Sequence, residues 1–213
     1  NETGDDLMSK LETLSAIKNS KVVAVIRGSS AEEAIAITNG AIDGGIHLIE
    51  ITYTTPNVQK VLEAFQHSEA VVGAGTVLDA ETARHAILNG AAFIVSPHFS
   101  SEVARTCNRY KIPYLPGCMT IQEMVSALEW GADIIKLFPA NNFKPSFIKS
   151  VKGPLPHIEI MPTGGINAEN IGEWIAAGAV AAGIGSDLNK AYAEGGHAAV
   201  VEASKKYVAA AQQ

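Results

Sequence analysis

The segment "ADIIKLFPA" (residues 132–140) carries one lysine, Lys136, in an otherwise apolar run. A buried ammonium group without a partner is unfavourable, and burial favours the neutral amine. A neutral amine is a nucleophile that condenses with a ketone to form a Schiff base. This setting predicts covalent amine chemistry at Lys136. The alternative is structural: Lys136 would form a buried salt bridge with Glu50, or extend its ammonium group into solvent.

Glu50 lies in a second apolar segment, "HLIEITY" (residues 47–53). Burial raises the pKa of a carboxyl group toward the range that is useful for general acid–base catalysis. Alternatively, Glu50 only neutralises Lys136 or Arg27. The two roles are compatible, because a charge that orients the amine can also move protons. Arg27, at the end of an earlier strand, would further disfavour the charged form of Lys136.

Eight short segments rich in β-branched residues are predicted to be strands. They are residues 22–27, 48–52, 71–76, 93–97, 114–117, 134–139, 158–163 and 181–186. Between them, apolar residues recur every three or four positions, which indicates amphipathic helices. Ser30 and Asp79 are predicted helix N-caps, and Trp130 and Trp174 fall in predicted helices and are expected in the core.

Eight such βα units predict an α/β protein with a (β/α)8 TIM barrel that forms a single domain over residues 1–213. An amphipathic segment at residues 7–19 is expected to add an N-terminal helix. Residues 1–7 are expected to be disordered or to precede a natural start at Met8. The second choice is an open doubly wound sheet. We prefer the barrel because polar residues come late in the strands all the way round.

The polar residues near the predicted strand ends would converge on the carboxyl-terminal mouth of the barrel, where barrel enzymes place their chemistry. They are Arg27, Glu50, Thr52, Thr76, Ser96, Lys136, Thr163 and Ser186. Side chains alternate along a strand, so Ile134, Lys136 and Phe138 should point together into the barrel. Phe138 is expected to form an apolar wall beside the lysine.

Two glycine-containing segments, "PTGGI" (residues 162–166) and "GIGS" (residues 183–186), end the seventh and eighth strands. The first contains Thr163, Gly164 and Gly165. Glycines leave backbone N–H groups open to an anion, and a following helix N-terminus adds partial positive charge. A glycine pair alone usually marks a tight turn. Their occurrence at strands seven and eight, the usual phosphate position in barrels, favours a phosphate site.

Composition excludes several classes of function. The chain has 213 residues and a formal net charge of −6, which argues against nucleic acid as a partner. No apolar stretch approaches the roughly 20 residues that span a membrane. Cys107 and Cys118 form neither a disulfide framework nor a zinc pattern, so a cytoplasmic location is the simplest expectation. The six histidines show no metal-ligand spacing, and we expect no metal.

Six segments together resemble a known family. "GGIHLIEITYTTP", "VVGAGTVL", "FIVSPHF", "PYLPGCMT", "KLFPA" and "PTGGI" are similar to the 2-keto-3-deoxy-6-phosphogluconate (KDPG) and 4-hydroxy-2-oxoglutarate (KHG) aldolases. The matches run in order from about residue 20 to residue 190. The resemblance implies a class I aldolase that needs no metal or other cofactor. Lys136 would be its Schiff-base lysine and Glu50 its acid–base residue.

The resemblance also implies substrate-binding residues. Thr76 would contact the pyruvate carboxylate, and Gly165, Gly185 and Ser186 would hold the substrate phosphate. Arg27 resembles a family arginine near the ligand, and Pro97 and Phe138 would shape the pocket. Many relatives have arginine at the position of Thr54, where it binds substrate carboxylate. Arg27 and Thr76 would then have to carry the carboxylate contacts.

We therefore predict reversible cleavage of KDPG-type 2-keto-3-deoxy-6-phospho sugar acids, with 4-hydroxy-2-oxoglutarate as a further substrate. The products would be pyruvate and either glyceraldehyde 3-phosphate or glyoxylate. One alternative is a phosphate-binding barrel isomerase or epimerase, with Glu50 as base and Lys136 acting only by its charge. Another is a sugar-phosphate binding module without catalysis. Relatives resemble trimers, so the resemblance implies a homotrimer.

Overall fold

Short β-branched segments form eight parallel strands in the computed structural model, which describes residues 8–213. The strands are β1 (Val22–Ile26), β2 (Leu48–Thr52), β3 (Val71–Gly75), β4 (Ile94–Ser96), β5 (Tyr114–Cys118), β6 (Ile135–Leu137), β7 (Ile160–Pro162) and β8 (Ala182–Ile184). Their order in the sheet is β7-β6-β5-β4-β3-β2-β1-β8. All eight predicted strands are confirmed, most of them shorter than predicted.

The sheet closes on itself between β7 and β8. Thr163 and Gly183 form a parallel bridge, and the Val180 N–H donates to the Ile160 carbonyl at 3.0 Å. The result is a (β/α)8 barrel, so the predicted fold is confirmed and the open doubly wound sheet is wrong.

Helices alternate with the strands on the outside of the ring. They are α1 (Lys10–Ser20), α2 (Ala31–Asp43), α3 (Val58–Ala64), α4 (Ala80–Leu88), α5 (Ser101–Arg109), α6 (Ile121–Glu129), α7 (Ser146–Lys152), α8 (Ile171–Ala176) and α9 (Ser186–Ala211). A short 3-10 turn, Ala140–Asn142, follows β6. Ser30 and Asp79 cap α2 and α4 through their side chains, as predicted. No helix among residues 8–213 has the length and apolar character needed to cross a membrane.

The predicted N-terminal helix is α1, and it closes the amino-terminal end of the barrel. Leu14 and Ile17 pack into the cluster of inward-facing strand residues. That cluster contains Val23, Leu48, Val71, Phe93, Val95, Leu115, Ile134, Met161 and Ala181. Full burial of one large aliphatic side chain contributes about 1.5–3 kcal/mol. The ion pairs of α1 lie at the surface and contribute roughly 0–1 kcal/mol each, so apolar packing dominates.

The last helix, α9, contains a break. It begins at Ser186, and its backbone departs from helical geometry at Gly196, where φ is 65°. Glycine adopts this left-handed region without the penalty that other residues incur. The helix therefore consists of two segments, 186–195 and 197–211.

The two tryptophans have different environments. Trp174 is buried in the core, as predicted. The prediction for Trp130 is wrong, because α6 ends at Glu129 and Trp130 lies in its C-cap, 37% exposed. The Arg105 guanidinium covers its ring at 5.6 Å from the centroid. The prediction for residues 1–7 lies outside the described residues.

Candidate active site

Lys136 lies at the centre of β6 and is only 5% exposed. Its neighbours Ile135 and Leu137 pack in the cluster that faces the helices, whereas Ile134 packs inside the barrel. The alternation of side chains along the strand therefore directs Lys136 inward. The Lys136 Nζ lies 4.6 Å from the centroid of the Phe138 ring, so this ring lies beside the lysine; its role as an apolar wall of the pocket stays a prediction. Pointing the amine into the barrel places it where it can meet a substrate carbonyl.

Glu50, on β2, is 1% exposed and occupies the opposite side of the ring, because β2 and β6 are separated by four places in strand order. Ile49 and Ile51 pack toward the helices, as predicted. Burial raises the pKa of the Glu50 carboxyl group, and attraction to Lys136 and then to Arg27 lowers it to a smaller extent. A carboxyl group whose pKa is raised keeps its proton to a higher pH than an exposed one, which suits it better to general acid–base catalysis.

The structural alternative for Lys136 is not seen. The ion pairs formed by residues 8–213 include neither Glu50 nor Lys136. Glu50 Oε2 is buried and has no hydrogen-bond partner within the same part of the chain. The two charges therefore attract each other across the barrel interior without direct contact. A buried oxygen left unpaired is unfavourable unless a water or ligand completes it.

Gly75 creates the space that Glu50 occupies. A Cβ atom at Gly75 would overlap Glu50 Oε1. Two residues earlier on the same strand, Gly73 makes the equivalent space for the Phe93 ring. A Cβ atom at Gly73 would lie only 2.5 Å from that ring. The two glycines thus admit an apolar ring deep in the barrel and a carboxylate at its mouth.

Thr163 follows β7 and has a buried hydroxyl at the mouth. It is 8% exposed, and its Oγ1 has no hydrogen-bond partner among residues 8–213. Gly183, its bridge partner on β8, leaves room for this side chain, because a built Cβ would lie 2.5 Å from Thr163 Oγ1. The threonine therefore offers one free donor and acceptor to a bound molecule.

The loop after β2 contains Thr54, which the resemblance places at the position of a family arginine. Thr54 is exposed, and its hydroxyl lies 2.7 Å from that of the buried Thr52. The buried Thr55 hydroxyl accepts from the Gly28 N–H at 3.1 Å, next to Arg27. Arg27 is exposed at the end of β1, and its charge acts on Glu50. Thr54 thus lies beside the mouth but carries no charge to bind an anion.

Thr76 and Pro97 directly follow the next two strands, β3 and β4. Thr76 is half-buried and has a left-handed backbone with φ of 54°, a conformation that is uncommon for threonine. Pro97 is also half-buried, and its carbonyl lies against Gly117, the register partner of Lys136 on β5. Both predicted residues therefore border the mouth.

The two glycine-containing segments form adjacent loops above β7 and β8. Gly164 and Gly165 have φ of 104° and 73°, the left-handed region that favours glycine. Gly185 is the N-cap of α9 and Ser186 its first residue. The unpaired N–H groups of a helix N-terminus and its dipole attract anions. The loops thus have the composition of an anion cradle.

Two residues that the sequence did not single out complete the surroundings. Asn141, in the turn after β6, packs against Gly165. A Cβ atom at Gly165 would lie 2.8 Å from the Cβ of Asn141. The Asn189 side chain in α9 donates to the Arg27 carbonyl at 2.6 Å. Asn141 directly follows "KLFPA", which is the only sequence signal for it. The Asn189 contact joins positions far apart in sequence, so no local pattern could have indicated it.

No group of three or more His, Cys, Asp or Glu side chains within residues 8–213 is arranged to hold a metal ion. The expectation of a metal-independent reaction stays a prediction.

Comparison with known proteins gives a consistent result. The profile of the Aldolase family, described as KDPG and KHG aldolase, matches residues 14–203. The 2-dehydro-3-deoxy-6-phosphogalactonate aldolase of Escherichia coli (strain K12) is 38% identical over 80% of this chain and 85% of its own length. The 2-dehydro-3-deoxy-phosphogluconate aldolase of Treponema pallidum (strain Nichols) is 32% identical over 76% of this chain and 78% of its own.

A solved structure adds chemical detail about a relative. The KDPG aldolase of Legionella pneumophila was determined with pyruvate captured at low pH as a covalent carbinolamine intermediate. It is 28% identical to this chain, with a TM-score of 0.81 over 91% of this chain and 96% of that one.

Proposed function

Because this chain belongs to the KDPG and KHG aldolase family, we propose that it works through Lys136 as a class I aldolase. Its substrates are 2-keto-3-deoxy-6-phospho sugar acids, which it cleaves reversibly to pyruvate and glyceraldehyde 3-phosphate. The observation that carries the proposal is a buried, inward-pointing lysine without an ion-pair partner among residues 8–213, facing a buried carboxyl group.

Covalent activation begins with attack of the Lys136 Nζ on the C2 ketone. The resulting carbinolamine loses water to give a protonated imine. This imine accepts the electron pair of the C3–C4 bond as that bond breaks. The lysine thus supplies the electron sink that a 2-keto acid alone lacks. The carbinolamine captured in the Legionella pneumophila relative supports this route.

Glu50 moves the protons. As the C3–C4 bond breaks, Glu50 accepts the proton of the C4 hydroxyl, directly or through a water, and the aldehyde leaves. Glu50 then returns a proton to C3 of the enamine, and water hydrolyses the imine to release pyruvate and the free Lys136 amine. The raised pKa of Glu50 and its unpartnered Oε2 support this role, since one group must both take and give a proton.

The rim residues bind the rest of the substrate. We assign the pyruvate carboxylate to Thr76 and Arg27, since Thr54 has no charge. Pro97 and Phe138 shape the pocket around the reacting atoms. Thr163 meets a substrate oxygen, which its unpartnered hydroxyl supports. The phosphate lies between the loop of Gly164 and Gly165 and that of Gly185 and Ser186.

We propose the unphosphorylated 4-hydroxy-2-oxoglutarate as a second substrate, cleaved to pyruvate and glyoxylate by the same steps. It would not use the phosphate loops, so its reaction isolates the amine chemistry from phosphate recognition. Comparing the two substrates in one assay of pyruvate release, with and without a chelator, tests both the substrate range and the independence from metal.

Reductive trapping tests the central role. Borohydride added with pyruvate should fix a pyruvate-derived mass on the peptide that contains Lys136. Lys136→Arg keeps a positive charge and should give neither label nor turnover. An isomerase that uses Glu50 as its only base would form no trapped adduct. A label on another residue, or continued pyruvate release without any label, would refute the proposal.

The pH profile tests Glu50. Cleavage requires the ionised carboxylate, so kcat should fall as the pH decreases through the pKa of Glu50. Because burial raises that pKa, this fall should occur above the ordinary value of 4.5. Glu50→Gln should lower kcat about 10²- to 10⁴-fold and abolish this limb, while the lysine still forms an adduct. An unchanged limb in the variant would assign it to another group.

We also propose a homotrimer that works in the cytoplasm. The trimer rests on the family resemblance, and exposed apolar side chains such as Leu88 and Ile121 are compatible with self-association. Both cysteines are buried and free, which suits a reducing compartment. Light scattering should give three times the mass of one chain, and a monomeric mass would refute the trimer.

A further inference from the structure

One buried tyrosine connects the two loops of the proposed phosphate cradle. Tyr207, in the second segment of α9, is 2% exposed. Its hydroxyl donates to Asp187 Oδ2 at 2.5 Å and lies 3.5 Å from the Ile166 carbonyl. Asp187 directly follows Ser186, and Ile166 directly follows Gly165. A single hydroxyl thus contacts each loop one residue beyond the proposed phosphate-binding residues.

The two contacts are unequal. A hydroxyl has one proton, and hydrogen bonds to a charged carboxylate are shorter and stronger than neutral ones. The proton therefore goes to Asp187, and the contact with the Ile166 carbonyl, at the long limit for a hydrogen bond, is secondary. Burial, and then the neighbouring Asp187, raises the pKa of Tyr207, so the hydroxyl remains a donor over the physiological range.

Asp187 has a position that affects a bound phosphate. It lies in the first turn of α9, where the helix dipole stabilises negative charge. A phosphate at the same N-terminus would be repelled by this carboxylate. The hydrogen bond from Tyr207 holds the carboxylate in one position and so limits how closely it can approach the phosphate.

The kink in α9 makes this contact possible. Asp187 belongs to the segment before Gly196, and Tyr207 to the segment after it. Residues 20 positions apart on one straight helix would be separated by about 30 Å. The left-handed backbone at Gly196 redirects the second segment, so that its tyrosine reaches the first turn of the helix.

We infer that Tyr207 is a positioning residue for the substrate phosphate, which sets the spacing of the two loops and restrains the Asp187 carboxylate. This inference rests on the proposed function, because the phosphate site is itself part of that proposal. Tyr207 does not touch the reacting carbons. Its loss should affect recognition of the phosphate and leave the amine chemistry of Lys136 unchanged.

The test is Tyr207→Phe, which keeps the ring and removes the hydroxyl. The KM for the phosphorylated 2-keto-3-deoxy acid should rise about 5- to 10-fold, the effect expected for losing one ordinary hydrogen bond, because Tyr207 acts on the phosphate only through the two loops. The kcat should change less than about twofold, and 4-hydroxy-2-oxoglutarate should be cleaved as by the wild type. Tyr192→Phe, in the first segment of the same helix, is the control and should change neither KM.

Three outcomes would overturn the inference. An unchanged KM for the phosphorylated substrate would show that the hydroxyl does not position the cradle. Equal losses with both substrates would indicate a general structural role. If the wild type itself does not prefer the phosphorylated substrate, the proposed phosphate site fails together with the inference. Trapping at Lys136 would still report separately on the amine chemistry.

Asp187→Asn provides a second test that does not depend on the folding of Tyr207→Phe. Asparagine keeps an oxygen that can accept from Tyr207 and removes the negative charge. The KM for the phosphorylated substrate should therefore fall or stay the same, while that for 4-hydroxy-2-oxoglutarate is unchanged. A rise in the KM for the phosphorylated substrate would contradict the role assigned to the carboxylate.

Discussion

The two ends of the barrel are built from the same strands but serve different purposes. At the amino-terminal end, Leu48 and Ile134 point inward and pack beneath α1. Two residues further along the same strands, on the same face, stand Glu50 and Lys136. The same alternation of side chains along a strand thus places apolar residues in the core at one end of the barrel and Glu50 and Lys136 at the mouth. What differs is the residue type at successive inward positions, which changes from apolar at Leu48 and Ile134 to charged at Glu50 and Lys136.

The two ends also differ in how their polar groups are satisfied. The mouth retains a buried carboxylate oxygen, on Glu50, and a buried hydroxyl, on Thr163, without partners among residues 8–213. The α1 helix has one comparable group, the Thr13 hydroxyl. A neutral hydroxyl is less costly to bury than a carboxylate. The mouth therefore gives up stability for reactivity, whereas the amino-terminal end supplies stability.

Replacing Lys136 by methionine gives the largest expected effect. Methionine fills similar space and cannot form an imine, so kcat should fall by about 10⁴-fold or more. The barrel should remain folded, because a buried site accommodates an apolar side chain of similar volume at little cost. Pyruvate release and borohydride labelling measure the loss, and circular dichroism checks the fold. Substantial residual turnover by a correctly folded variant would show that the mouth does not depend on Lys136 for the reaction.

At the opposite end, Ile17→Ala should lower the free energy of unfolding by about 2–5 kcal/mol. Ile17 is fully buried under the barrel, so its truncation leaves a cavity. The kcat of the folded fraction should not change, since the site lies at the other end of the strands. Urea unfolding and initial rates test the two parts separately. Leu11→Ala, on the exposed side of α1, is the control and should have little effect on either quantity.

Gly75 and Gly73 give a matched pair on one strand. Gly75→Ala should displace the Glu50 carboxylate and lower kcat about 10- to 100-fold, as expected for a misplaced catalytic group. Gly73→Ala should instead press on the Phe93 ring and cost about 1–3 kcal/mol of stability, with kcat nearly unchanged. The experiment compares kcat and the urea midpoint of both variants. A loss of kcat in Gly73→Ala with little change in Gly75→Ala would contradict the assignment of Gly73 to the core and Gly75 to the mouth.

The smallest expected effect is a gain in stability on Glu50→Gln. Because the pKa of Glu50 is raised in the folded state, its contribution to the free energy of unfolding is fully present below about pH 4.5. This contribution is lost as the pH rises through the raised pKa. At pH 7 the variant should therefore be more stable by roughly 0.5–2 kcal/mol. The gain should disappear toward pH 4.5. Urea unfolding at both pH values measures it, and a less stable variant at pH 7 would contradict the trade between stability and reactivity.

The strands, the barrel and the inward, buried positions of Lys136 and Glu50 could be predicted from the sequence because they depend on local periodicity. Lys136 and Glu50 stand out as charges in apolar runs, and strand alternation gives their direction. The prediction that Trp130 is buried is wrong because an amphipathic pattern does not show at which residue the helix ends and its side chains become exposed to solvent. The role of Gly75 depends on the register between β2 and β3, and that of Tyr207 on the kink at Gly196. Neither register nor kink geometry can be read from neighbouring residues.

The ring of strands is not equally strong all the way round. β2 and β3 are paired at five positions, whereas β7 and β8 share the Thr163–Gly183 bridge and one flanking hydrogen bond. This weak joint lies directly below the two loops proposed to hold the phosphate. An anion that binds both loops would link β7 and β8 at this weakly paired position. Substrate binding would then add a link between two strands that few hydrogen bonds join, and product release would remove it.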